Sequence, residues 1–159
     1  MIIPSKESLK LKNLTTYSLV FFLCLIHADL TFTAPDPDTS RLSILFAGDI
    51  MGHDSQINAA FYSDSGKYNY DFCFSYLKPF IQSADIAIGN LEVTLAGEPY
   101  KGYPQFSSPD ELSDALKESG FDILVNANNH ALDRGKEGLE RTIIITDQKG
   151  LIMTGSFES

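Results

Sequence analysis

Tryptophan is absent from this chain, and cysteine, histidine and basic side chains are all scarce. Twelve Lys and Arg stand against 21 Asp and Glu, a net charge of −9 over 159 residues. So acidic a chain disfavours nucleic acid and an anionic membrane surface as partners. There are two cysteines, Cys24 and Cys73, and Cys24 falls in the N-terminal apolar run. If that run is removed, Cys73 has no partner for an internal disulfide, and Phe72 and Phe74 beside it suggest a buried, inert thiol. No apolar stretch reaches the roughly 20 residues of a membrane span. No low-complexity tract or solenoid-period repeat is present either, so the chain is one domain or part of one.

The longest apolar stretch, "YSLVFFLCLI" from Tyr17 to Ile26, follows Lys6, Lys10 and Lys12 and precedes His27 and Ala28. A basic start, a short apolar core and a small residue make a secretory signal peptide over residues 1–28, with cleavage expected after Ala28. The protein is then exported, to the periplasm, cell surface or medium; if left uncleaved, the signal would serve as a membrane anchor. Leu23 before Cys24 is not the small residue that a lipoprotein site requires. Cleavage would leave 131 residues with 9 basic and 20 acidic side chains, a net charge of −11. Residues 29–40, containing "TAPDPDTS", read as a Pro/Asp linker, and residues 41–159 as the folded part.

From Arg41 onward, strands and helices alternate. "RLSILFAGD", "DIAIGNLE", "DILVN" and "LIMTG" read as strands. Helices are expected within Tyr70–Gln82, broken or started by Pro79, within "SSPDELSDALKESG", and over Gly138–Asp147. In the second, Ser108 and Glu111 have capping-box spacing around Pro109, and Gly120 supplies the stop. This rhythm predicts βαβ units and an α/β fold with a mainly parallel sheet.

Three successive strands end alike, in Gly48-Asp49, in Gly89-Asn90, and in Asn126, Asn128, Asn129 and His130. In a parallel sheet these ends lie along one edge, where open α/β folds place their sites. Carboxylate, amide oxygen and neutral imidazole are ligands that hard and borderline divalent metals accept. Singly, each residue is an ordinary turn former or surface side chain, and Asp133 reads equally as a helix cap. Their coincidence at three strand ends points to a metal site. His53 and His130 are the only histidines beyond the leader, and each follows one of these ends.

"ILFAGDIMGHD", "ADIAIGNLEVTLAG" and "GFDILVNANNHALDRGKEGLERTI" together resemble the N-terminal blocks of the CapA/PgsA family of poly-γ-glutamate capsule synthesis proteins. That family lies within the calcineurin-like metallophosphoesterase superfamily. The resemblance covers Leu42 to about Gly155. It implies the N-terminal half of a four-layer α/β/β/α sandwich, with a dinuclear divalent-metal centre of manganese, zinc or iron. On the matching positions, Asp49, Asn90, Glu92, Asn129 and His130 are the implied metal ligands. His130 is also the implied acid or electrostatic partner in catalysis, with Asp133 orienting its ring. Met51 stands where the wider superfamily usually carries a histidine, and Asn90 where it usually carries a bridging aspartate. The implied partners are a surface polymer or phosphoester substrate and a membrane-bound capsule synthesis complex.

Two functions compete on these residues. One is an exported metal-dependent hydrolase or transferase; the other is a non-catalytic component of a surface-polymer machine that keeps the fold. The resemblance stops short of the family's later histidine motifs, so this chain alone is expected to be inactive. Its sheet is expected to show an uncovered apolar face containing Ile44, Phe46, Ile88 and Val125, because parallel strands are normally covered on both sides.

Overall fold

The computed structural model describes residues 39–157; the signal and most of the linker expected above lie outside the described residues. Strand β1 (Ile44–Ile50) leads into helix α1 (Asp54–Ala60) and a short antiparallel ribbon, β2 (Phe61–Tyr62) with β3 (Lys67–Tyr68). Two four-residue helical turns follow, α2 (Asp71–Phe74) and α3 (Lys78–Ile81), then β4 (Ile86–Leu91). After a long loop come α4 (Glu111–Ser119), β5 (Ile123–Val125), α5 (Gly135–Gln148) and β6 (Ile152–Thr154). The main sheet has the order β1-β4-β5-β6, and every neighbouring pair is parallel. The mixed α/β fold with a mainly parallel sheet is therefore the one the alternation predicted.

The register sorts the sheet into two faces. Phe46, Ile88, Ile123 and Ile152 align as one row, while Gly89, Leu124 and Met153 align on the opposite side. The second side carries the core, in which Ala87, Leu91 and Leu124 pack with Leu112, Ala115, Leu116 and Phe121. Gly89 is needed there: a Cβ at that position would lie 2.6 Å from Ile50 Cδ1 and 3.1 Å from Phe121, so the bare backbone lets both side chains close over β4. The first side is the expected uncovered face, with Phe46 74% and Ile152 62% exposed.

Three local expectations need correction. Ser108 and Glu111 do not form a capping box, because the chain stays extended through Ser108. The Ser108 N–H donates to the Thr94 carbonyl, Asp110 becomes the N-cap, and the Ser108 hydroxyl is buried beside Gly52 with no hydrogen-bond partner among the described residues. Cys73 is exposed rather than buried, since α2 is too short to present a continuous face and only Phe74 turns inward, edge-on to Phe121. Around Pro79 the helix is broken as expected, into two separate turns, with Pro79 in the first turn of the second, where a missing N–H is harmless. The last helix starts at Gly135, three residues before its expected start.

Candidate metal centre at the strand ends

A bulge sets the position of Asp49. Strand β1 pairs Ala47 with Gly89 but Asp49 with Asn90, so Gly48 is the extra residue. The bulge carries Asp49 onto the face of Asn90. The Asn90 amide nitrogen then donates to both neighbouring carboxylates, 2.8 Å to Asp49 Oδ1 and 2.9 Å to Glu92 Oε2. One NH2 group thus holds two acidic side chains together. Glu92 titrates above the ordinary glutamate range, first because of desolvation and then because of the Asp49 carboxyl. His130 and the Asn90 amide act in the opposite direction.

Strand β5 reaches the same point through Asn128. Its amide nitrogen donates 3.0 Å to Asn90 Oδ1 and 3.0 Å to the Leu91 carbonyl, and its oxygen accepts the His130 N–H at 3.0 Å. The third strand end is therefore locked onto the second. Asn129, the expected ligand, is exposed, and its side chain makes no hydrogen bond to the described residues. Asn126 is buried, with both amide atoms unpartnered among the described residues.

His130 Nδ1 lies 2.8 Å from Asp133 Oδ2, and the same oxygen accepts the Phe106 N–H at 2.8 Å. A carboxylate on Nδ1 fixes the ring and leaves Nε2 for a ligand or substrate. Asp133 does not cap the following helix, whose N-cap is Arg134. The Phe106 ring is fully buried and stands edge-on to both histidines, with centroids 5.1 Å from His53 and 4.7 Å from His130. The two histidines that follow separate strands in sequence therefore flank one aromatic ring. Met51, at the position of a usual superfamily histidine, packs against the core.

Asp49 and Glu92, held on either side of one amide, are the two carboxylates a hard cation would meet here, and a cation would relieve the repulsion between them. Among the described residues no three His, Cys, Asp or Glu side chains converge as ligands. The described residues thus do not fit a closed dinuclear centre. Asn128, although it stands at the third strand end, was not among the implied ligands. Its signal was its spacing, since an Asn two residues before His130 can accept that residue's N–H.

The family model for the bacterial capsule synthesis protein PGA_cap matches residues 43–159. The chain belongs to this capsule synthesis protein family. It is 29% identical over 130 residues to the capsule biosynthesis protein CapA of Bacillus anthracis, covering 77% of this chain and 30% of that protein. It is 30% identical over 108 residues to the PGA biosynthesis protein CapA of Bacillus subtilis, covering 64% and 27%. An uncharacterized Sinorhizobium fredii protein, y4sH, is 36% identical over 94 residues, covering 54% and 20%. The chain thus spans less than a third of the length of these relatives.

Proposed function

We infer that this family member takes part in the synthesis of a capsule-type surface polymer such as poly-γ-glutamate, as an exported protein with a cation site at its strand ends. The observation that carries the reading is the convergence of Asp49, Asn90 and Glu92, with Asn128 joining them to the His130–Asp133 pair. Asp49 and Glu92 supply the charge that would hold the ion, and His130, which does not converge with them as a third ligand, stands beside the ion rather than on it. A bound divalent cation would supply Lewis acidity toward a phosphoester or polymer-linked group. The His130 ring, held through Nδ1, is placed to hold or deliver a proton at Nε2. We read the two described carboxylates as holding a single ion, in a polymer-machine component without phosphodiester turnover of its own. A second ion would need ligands from outside the described residues.

Titration calorimetry with Mn²⁺ and with Zn²⁺ tests the site. We expect one ion per chain and a loss of affinity of at least about tenfold in Asp49→Asn, as for removal of a charged ligand. A generic phosphodiester is expected not to turn over. Unchanged affinity in Asp49→Asn would remove the metal reading, and metal-dependent turnover abolished by that variant would restore the enzyme reading.

A further inference from the structure

Arg134 belongs to an acidic chain, yet it pairs with no carboxylate among the described residues. Its guanidinium goes to the main chain instead. Nη2 donates 2.8 Å to the Pro99 carbonyl, and Nε donates 3.2 Å to the Gln105 carbonyl. One side chain thus holds both ends of residues 99–105, part of the long loop between β4 and α4. The planar fork of a guanidinium reaches two separate carbonyls at once, which a single ammonium nitrogen does less well. Gly138, one turn along α5, makes room for this arrangement. It is buried, and a Cβ there would lie 2.4 Å from Arg134 Cβ and 3.2 Å from Ala96 Cβ. Its bare backbone lets both Arg134 and the loop close over the start of α5.

The segment held by Arg134 leads directly into the strand-end site. The next residue is Phe106, whose N–H donates to Asp133 Oδ2, the same oxygen that holds His130 Nδ1. At the middle of the segment the Gly102 N–H donates 2.6 Å to Asp54 Oδ1, and a Cβ at Gly102 would lie 3.0 Å from His53 Cα. The segment is therefore fixed at both ends by Arg134 and at its centre by the turn that carries His53. An oxygen shared between the Phe106 N–H and the His130 ring is held only as firmly as the loop that supplies the N–H.

We propose that Arg134 is a positioning residue of the strand-end site. By fixing residues 99–105 it keeps the Phe106 N–H on Asp133, and Asp133 in turn keeps the His130 ring with its proton on Nδ1 and with Nε2 open. Arg134 itself makes no hydrogen bond to His130 or to the Asp133 carboxylate. This role presupposes that His130 belongs to the site proposed above, and it adds what holds the ring in place. Arg141 supplies the comparison. Two turns further along α5, it donates to the Leu95 carbonyl and forms a bidentate pair with Asp110 at 2.7 and 2.8 Å. That tie has more bonds, one of them a charged pair, but it holds the start of the loop, well before Phe106.

The test reads the imidazole nitrogens of the metal-free 159-residue chain by NMR of ¹⁵N-labelled histidine, at a pH where the rings are neutral. The His130 signals are assigned from their loss in His130→Gln. The parent is expected to hold His130 in the Nδ1–H tautomer. In Arg134→Gln, whose shorter side chain cannot span both carbonyls, the Nδ1 and Nε2 shifts should move toward each other as the ring exchanges between its two tautomers. Arg134→Lys, with one nitrogen for two carbonyls, should fall between the two, and it carries the comparison if Arg134→Gln does not fold. Arg141→Gln should lower the melting temperature more than Arg134→Gln does and leave the His130 shifts where they are in the parent. A parent without the Nδ1–H tautomer overturns the proposal, as do His130 shifts that ignore both Arg134 variants. His130 shifts that move with lost stability, alike in the Arg134 and Arg141 variants, overturn it too, because Arg134 would then be ordinary scaffold. Whether a cation binds is read separately, from the Mn²⁺ affinity of the parent, and a failure there leaves the tautomer result standing.

Discussion

The two faces of the four-stranded sheet have similar composition and opposite fates. On one, Ala87, Leu91 and Leu124 are buried under α4 and the segments around it. On the other, Ile44, Phe46 and Ile152 stand in solvent. Both sides read as apolar in sequence, so hydrophobicity alone does not say which side is the core. The covered side is distinguished by small residues, Ala87 and Gly89, which let Ile50 and Phe121 approach. The open side carries β-branched residues and, at its carboxyl end, Asn90 in register with Asp49 and Val125. The candidate site thus terminates the uncovered face.

The largest expected effect sharpens this contrast. Leu124→Ala removes a fully buried side chain and should cost about 2–5 kcal/mol in urea unfolding. Phe46→Ala removes a larger side chain from the open face and should cost less than about 1 kcal/mol. It should also reduce association, because a large exposed apolar patch promotes it. If Phe46→Ala matched Leu124→Ala in cost, something would already cover the open face in solution.

A second contrast lies inside the polar cluster. Asp133 holds both His130 Nδ1 and the N–H of buried Phe106. Asp133→Ala leaves that N–H unpaired and should cost about 1–3 kcal/mol. Asn129→Ala, which removes an exposed amide with no described partner, should change stability by no more than about 0.5 kcal/mol. Comparable losses would place Asn129 in the scaffold rather than at the free rim of the site.

The four strands of the main sheet, its parallel pairing and the α4 helix were legible because each rests on local periodicity and a sharp glycine stop. Asp49, Asn90, Glu92, His130 and Asp133 were legible because the strand ends place them along one edge. What escaped was set by contacts distant in sequence. The extended course through Ser108 depends on Thr94, so a capping-box spacing was read where the helix begins later. That Asn128 joins the Asn90 network depends on which side of β5's end faces Asn90 across the sheet. The β2–β3 ribbon, two residues a side, is too short for a period-2 signal, although "SDSG" is a plain turn sequence.

The smallest expected effect concerns charge at the open face. Glu92 is half-buried and lies beside the Asp49 carboxyl, and it titrates above the ordinary glutamate value. A carboxyl whose folded pKa is raised holds its proton more tightly in the folded than in the unfolded chain. Its contribution to stability is therefore fully present below the unfolded value, about 4.3, and is lost as pH rises through the higher folded value. Glu92→Gln keeps an oxygen for the Asn90 amide and removes the ionisation. Without added metal, the variant should gain on the parent across that pH window and remain slightly more stable at neutral pH. With millimolar Mn²⁺ the order should invert, because the parent keeps the charge that binds the ion and the variant does not. The measurement is thermal unfolding of both chains from pH 4 to pH 7, with and without Mn²⁺. A difference that stays flat with pH would mean that Asp49 and Glu92 do not repel each other in solution. A difference that tilts with pH but ignores Mn²⁺ would keep the repulsion and remove the cation.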